Sequence, residues 1–510
     1  MGKQRAPLAQ VSLAPYVGRP AAVPGKDAAH PRTERLRVPV PPRRGWARPG
    51  GGRAAVMPPV PVHRGSTAQV QGLYPWLLGG ALPAAGAWIG IDCLTGSSFT
   101  CHPLAWLATG ITSNPNVVVT GEPGVGKSAT IKALALRLMP YGLRAFIAGD
   151  LKNEYAPLAR ALGTQPVELG PGLPGRLNPL DAGPLGDNLP SDPAQLGERL
   201  AEIHRRRLVL LCSLAAMRLG RELTPTEESA VSLAILEASG GGLTSPPTGG
   251  EGAGQAALGG ARFQASPTIP QVWAVLRDPT PGMARELRVR GDSAAELREM
   301  VRPVTDALGG MVAGALAGLF DGPTTIAPDF TAPIATVDLS RMASRGDEAI
   351  AMILACVSSW AQAAIDAPGP ARVIVRDELW RSLRIPALVR KVDSDLRLSR
   401  AQGTIQVLAT HRLADFEAAG PAGSAEAAIA SGLVASCDTR VCLRQDTAPL
   451  ARLAREIGLT DTECAHIASW SSHHTGRAIW KVGRSASAVV QVVLTPTEQQ
   501  LFWTNERMGM

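Results

Sequence analysis

The octapeptide Gly121-Glu122-Pro123-Gly124-Val125-Gly126-Lys127-Ser128 constrains this chain more than any other feature. It fits the pattern G-x-x-x-x-G-K-[ST] and sits where that pattern has mechanical meaning. Ahead of it runs Val117-Val118-Val119-Thr120, a β-branched stretch that reads as a short buried strand. Behind it runs Ala129 to Leu138, rich in good helix formers. A strand, a glycine loop and a helix in that order make a phosphate cradle. Backbone N–H groups converge on an anion, and the helix N-terminus adds a favourable dipole. The cradle runs through Gly121, Glu122, Pro123, Gly124, Val125, Gly126, Lys127, Ser128 and Ala129. Lys127 would reach the β- and γ-phosphates of a nucleotide, and Ser128 would ligate Mg²⁺.

Such a loop needs a partner to complete the metal shell and activate water. The apolar run Val373-Ile374-Val375-Arg376 ends at Asp377-Glu378. An acidic pair at the carboxyl end of a parallel strand faces the crevice where ligands bind in open α/β sheets. Asp377 would hold the magnesium shell, and Glu378 would polarise the attacking water as general base. A further strand, Thr404 to Ala409, runs into Thr410-His411-Arg412, which makes His411 the candidate γ-phosphate sensor. The guanine-reading motif NKxD is absent, so ATP is the expected nucleotide.

Short apolar strands alternate with helical spans: Leu143–Ala148, Ile334–Leu339, Val373–Val375, Thr404–Ala409 and Arg440–Leu443, with a helix over Asp347 to Ile365. That alternation argues an α/β fold with a mostly parallel sheet covered on both faces. An all-helical insertion of about 182–310 separates the second and third strands, with a Gly/Ser/Pro-rich loop at 240–260. Three capping boxes, Thr224/Glu227, Thr460/Glu463 and Thr495/Glu498, mark helix starts. Residues 65–105 read as a small β-rich segment, and 106–510 as the nucleotide-binding domain. Residues 1–64 are rich in Pro, Arg and Gly with almost no acidic side chains, and are expected to be a disordered basic tail.

The formal charge of +8 favours acidic surfaces only weakly over 510 residues. Seven cysteines form no CxxC pair, and no secretory leader is evident, which points to reduced thiols in a cytosolic protein. The uncharged run Gly65–Ile91 is too broken by Pro75, Pro83 and glycines to read as a membrane span.

Several stretches, in order, resemble the conjugal-transfer ATPases of type IV secretion systems (the VirB/TraC-type family). Asp150-Leu151-Lys152-Asn153-Glu154-Tyr155 is similar to the family's D-x-K-G-E-[YW], with Asn153 where Gly is usual. Arg176-Leu177-Asn178-Pro179-Leu180-Asp181 resembles its LNPLD segment, and Asp377-Glu378-Leu379-Trp380 its D-E-[AL]-W. Thr410-His411 falls where the family often carries Thr-Gln, and Asp415-Phe416 follows. The resemblance spans about residue 74 to the C-terminus, and the Tyr74-Pro75-Trp76 start and Arg/Ala bias look most like actinobacterial members with a shortened N-terminal domain. It implies a RecA-like ATP- and Mg²⁺-dependent motor, often a homo-hexamer, working with inner-membrane components on DNA or protein substrates. It also implies a cytoplasmic location, peripheral to the inner face of the membrane. Ring ATPases place an arginine against the neighbour's γ-phosphate, and Arg400, Arg440 and Arg444 are candidates. Two other readings share these residues: a DNA-pumping translocase or coupling protein of TraD or HerA/FtsK type, and a scaffold that binds nucleotide without turning it over.

Overall fold

The structure, a computed structural model, describes residues 46–48, 52–54, 82, 85–187, 189–240, 266–314, 316–366, 369–383, 386–411, 424–470, 474–484 and 486–503. Most of the basic segment 1–64, nearly all of the loop expected at 240–260, and Asp415-Phe416 lie outside the described residues. Within 1–64, β1 (Trp46–Arg48) and β2 (Gly52–Ala54) pair antiparallel.

The other strands are β3 (Ala87–Asp92), β4 (Ser98–Cys101), β5 (Val117–Thr120), β6 (Arg144–Asp150), β7 (Val167–Glu168), β8 (Ile334–Asp338), β9 (Arg372–Arg376), β10 (Ile405–Thr410), β11 (Thr439–Leu443), β12 (Arg477–Val482) and β13 (Ala486–Val492). They form one 11-stranded sheet in the order β4-β3-β13-β12-β11-β5-β10-β9-β6-β8-β7. From β11 to β7 every pairing is parallel. From β11 outward to β4 every pairing is antiparallel. The parallel strands read as unbroken apolar runs because both of their faces are covered.

The alternation along each strand divides the core. Val117, Val119, Val373, Val375, Val407 and Ala409 face one layer, shared with the helices Lys127–Leu138 and Ala156–Ala161. Ile374, Phe146 and Val337 face the other layer, built from the helix Asp347–Asp366 and the insertion. On that same face, Val118, Leu408 and Cys442 pack against helices of the C-terminal half. Asp347–Asp366 is long and apolar enough to cross a membrane by length and composition, yet most of it is buried against the sheet. Burial on nearly all sides is what its composition requires.

Between β7 and β8 the described regular elements are helical, including Pro193–Leu219, Pro225–Ala238, Ile269–Arg277 and Ala294–Ala313. Thr224 caps its helix through Glu227 N while the Glu227 carboxylate accepts from Thr224 N at 2.8 Å. The same reciprocal bonds occur at Thr460/Glu463 and Thr495/Glu498, and at Thr268/Gln271, a box the sequence reading passed over. The two-residue β7 and the β12–β13 hairpin add strands beyond those the apolar runs predict.

Candidate functional site

The sheet order puts β10 between the loop strand β5 and the acidic strand β9. Thr410 pairs with Thr120 and Leu408 with Arg376, so the three strands end level with one another. The P-loop, His411 and Asp377-Glu378 therefore leave the sheet at one carboxyl edge. Residues far apart in sequence meet because parallel crossovers return every strand to that edge.

Lys127 opens its helix and is buried, 8% exposed. Its Nζ donates to Gly121 O at 2.7 Å and Glu122 O at 3.1 Å, and meets His411 Nδ1 at 2.8 Å. An ammonium can only donate, so Nδ1 is the acceptor and Nε2 carries the proton. That Nε2 lies 3.1 Å from both carboxylate oxygens of Glu378. Lys127, His411 and Glu378 thus form one hydrogen-bonded chain across three strands. Burial pulls the Lys127 ammonium down to about 8, against the opposing pull of Asp377 and Glu378.

Asp377 accepts from the Tyr155 hydroxyl at 3.0 Å and from Glu378 N at 2.9 Å. Burial raises its carboxyl, Glu378 adds to the rise, and the Tyr155 bond opposes it. Glu378 has φ 51°, a left-handed backbone that costs a non-glycine residue about 1 kcal/mol or more. That turn carries its side chain back toward β10 and His411.

The loop itself shows why glycine is required. Gly126 has φ 99°, and a Cβ there would come within 2.9 Å of Gly476 N. Gly476 N donates to Val125 O at 2.8 Å, so the approach to β12 braces the loop from outside. Gly124, also at positive φ, has open space around it, as a cradle mouth needs. Glu122 N donates to Arg444 O at 3.2 Å, while Arg444 Nη2 meets the Glu122 carboxylate at 3.1 Å. Pro123 and Val125 complete the loop, and Ser128 and Ala129 follow in the first helical turn, both partly buried. Ser128 from the helix and Asp377 from β9 are the pair that would share a magnesium shell. Mg²⁺ bound with phosphates uses few protein ligands, and among the described residues no cluster of three or more His, Cys, Asp or Glu forms a protein cage. The open mouth at Gly124, the buried ammonium of Lys127 and the acidic pair together fit a magnesium–nucleotide.

Of the three arginines proposed as fingers, Arg444 is engaged with the loop of its own chain. Arg400 Nη1 reaches Ser113 O at 3.5 Å, and Arg440 lies within β11.

No family model matches this sequence, and no curated protein matches it. Among solved structures, VirB4 of Thermoanaerobacter pseudethanolicus is similar at TM-score 0.60 and 20% identity, over 83% of this chain and 100% of that one. The chain has the RecA-like P-loop NTPase fold. The plasmid coupling protein TrwB in complex with ADP and Mg²⁺ aligns more loosely, at TM-score 0.47 and 14% identity over 82% of this chain and 92% of that one. His411 stands just past the strand that lies between the P-loop strand and the acidic strand, and it touches groups from both.

Sequence reasoning did not find the roles of Tyr155, Arg444 or Gly476. Tyr155 and Lys152 had appeared only within a motif resemblance. The structure supplies one physical reason for that motif: Asn153 has φ 56°, a conformation that glycine adopts without strain and asparagine tolerates.

Proposed function

We propose that this protein is an ATP-hydrolysing motor of a type IV secretion or conjugative transfer system, energising substrate transfer or assembly of the apparatus. The observation that carries the reading is the continuous contact from Lys127 through His411 to Glu378, beside Asp377, at the carboxyl edge of a RecA-like sheet. The fold likeness to VirB4 and the order of sequence motifs support the choice of system. Bound magnesium–ATP supplies the labile phosphoanhydride. Gly121 to Ala129 would hold the phosphates on backbone N–H groups, and Lys127 would neutralise charge at the β/γ side. Ser128 and Asp377 would hold Mg²⁺. Glu378 would orient and polarise water, and His411 would report to it whether Lys127 is engaged by phosphate.

The working form is proposed to be a homo-hexamer, cytoplasmic and peripheral to the membrane, with secretion-system membrane components as partners. Arg400 is then the candidate finger least committed within its own site. Mixing wild-type with Arg400→Ala subunits should depress turnover beyond simple dilution.

The decisive experiment is the ATPase rate of wild type, Lys127→Ala, Glu378→Gln and His411→Ala. Lys127→Ala should lose about a hundredfold or more in kcat. Glu378→Gln should bind ATP but not turn it over, which also excludes the scaffold reading. An unchanged kcat in His411→Ala would remove the sensor role. Strong stimulation by duplex DNA that falls with salt would move the assignment to a DNA pump.

A further inference from the structure

The turn between β6 and the helix Ala156–Ala161 reaches both carboxylates of the acidic pair. Asp150 organises it from beneath: its carboxylate accepts from Lys152 N at 3.2 Å, Glu154 N at 3.0 Å and Tyr155 N at 2.7 Å. Asn153 takes the left-handed conformation that lets the chain fold over those three bonds. From this turn the Tyr155 hydroxyl donates to Asp377 Oδ2 at 3.0 Å, and Lys152 Nζ donates to Glu378 Oε1. Glu378 is itself at positive φ, so two constrained turns, one on β6 and one on β9, face each other to make the second contact.

The turn is also tied to the P-loop helix. Lys132, fully buried, lies 5.3 Å from the Tyr155 ring centroid and 3.8 Å from the Glu154 carboxylate. Its ammonium has no hydrogen-bond partner among the described residues; Glu154, with Asp150 and Asp377 beyond it, offsets its charge, and the Tyr155 and Phe502 rings lie beside it. Lys132 thus joins the P-loop helix to the turn, and Lys152 and Tyr155 join the turn to the acidic pair.

We propose that the Asp150–Tyr155 turn is the positioning element of the acidic pair, with Lys152 orienting the Glu378 carboxylate and Tyr155 orienting Asp377. The two contacts differ in kind. Tyr155 is buried and Asp377 partly so, and that bond fixes a metal ligand as outer partners do in metal sites. The Lys152 side chain is 53% exposed, while that of Glu378 is 11% exposed. A half-exposed ammonium on a nearly buried carboxylate is an adjustable hold: it points the general base toward the crevice and yields when the base engages water. His411 Nε2 lies 3.1 Å from both oxygens of the same carboxylate, so Glu378 is held by a half-exposed ammonium and an imidazole together. An ordinary surface ion pair contributes little because both partners are solvated. Here only one partner is.

This inference rests on the reading of Glu378 as general base and Asp377 as metal ligand, and its test separates the two. In the nucleotide-free full-length protein, Lys152 is acylated with an amine-reactive ester and quantified by mass spectrometry. Its ammonium is pulled down by burial, but the bond to Glu378 and the charges of Glu378, Glu154 and Asp377 outweigh this and raise it overall. Glu378→Gln should therefore increase Lys152 labelling several-fold, with no turnover required. Equal labelling overturns the Lys152 contact whatever the enzyme does. In turnover, Lys152→Met should lower kcat about tenfold or more with the nucleotide KM little changed, and Lys152→Arg should restore most of it. Tyr155→Phe should raise the Mg²⁺ concentration for half-maximal turnover by about tenfold. Wild-type kcat in Lys152→Met and an unmoved Mg²⁺ requirement in Tyr155→Phe overturn the proposal while leaving the P-loop reading intact. A wild-type protein with no hydrolysis, or a fully active Lys127→Ala, overturns that reading and the positioning role with it.

Discussion

Two charged clefts in this molecule are built on opposite plans. At the carboxyl edge of the sheet, buried Lys127 is joined through His411 to the nearly buried carboxylate of Glu378, and Asp377 beside it accepts from buried Tyr155. Between the insertion and the sheet domain lies a second cleft of about 600 Å³, lined by Glu202, Arg206, Val209, Met217, Arg390 and Lys391 among others. Its charges are paired as well: Arg206 with Glu202 at 2.7 Å is partly buried, while Arg390 with Glu222 at 2.7 Å, at the rim, is open to water. Size does not mark the chemistry. Desolvation does, because only groups removed from water have their proton affinities moved far by their neighbours.

The largest expected effect tests whether burial is what gives the first region its stiffness. Arg376, next to the acidic pair, is buried against Asp395 at 2.5 Å, and Lys391 Nζ also reaches Asp395 at 2.5 Å. Asp395→Ala leaves the Arg376 guanidinium buried without its counter-charge. We expect a loss of about 3–5 kcal/mol in urea unfolding. A loss below about 1 kcal/mol would mean that β9 is not held in this way.

Next in size is the brace on the loop. Arg444→Met removes the ion pair to Glu122 while keeping the backbone bond between the same residues. The pair is partly exposed, so an effect near 1 kcal/mol is expected, a roughly fivefold to tenfold weaker nucleotide affinity with modest change in kcat. Affinity equal to wild type would return Arg444 to the list of finger candidates.

A pH measurement sharpens the contrast further. With Lys127 lowered to about 8 from an ordinary 10.5, the folded protein binds fewer protons than the unfolded chain between those values. From this group, stability therefore rises with pH across that window and is lost as pH falls through about 8. A bound phosphate favours the charged ammonium, so nucleotide binding should take up a proton above about pH 8. Calorimetry in two buffers of different ionisation heat, at pH 8.5, should show that uptake. No uptake would mean that the ammonium is already fully charged before the nucleotide arrives.

The first region was largely legible in the sequence, and the reason is local. The loop, the Asp377-Glu378 pair and, elsewhere, the Thr-x-x-Glu capping boxes each act through contiguous residues whose spacing is the signal. His411 could be singled out because a strand end is also a contiguous feature. What was not legible is non-local: Tyr155 on Asp377, Lys152 on Glu378, Arg444 on Glu122, and Gly476 against Gly126 join residues whose meeting depends on strand order. The β12–β13 hairpin was passed over although Arg477–Val482 and Ala486–Val492 are apolar enough to be strands. Its antiparallel pairing beside a parallel sheet breaks the strand–helix alternation that marks the other strands.

The smallest expected effect belongs to the second cleft. Arg390 and Glu222 join helix Pro386–Gln402 to the segment just before helix Pro225–Ala238, so their pair bridges the insertion and the sheet domain. Position alone would make it a structural fastener. Yet the Arg390 side chain is 47% exposed and that of Glu222 80% exposed. At that exposure the Coulomb gain is screened and offset by the entropy of holding two long side chains. Glu222→Ala should therefore change stability by less than about 0.5 kcal/mol and leave turnover at the wild-type rate. A loss above about 1.5 kcal/mol would show that the cleft is held shut by its rim charges, and burial would no longer separate the two regions.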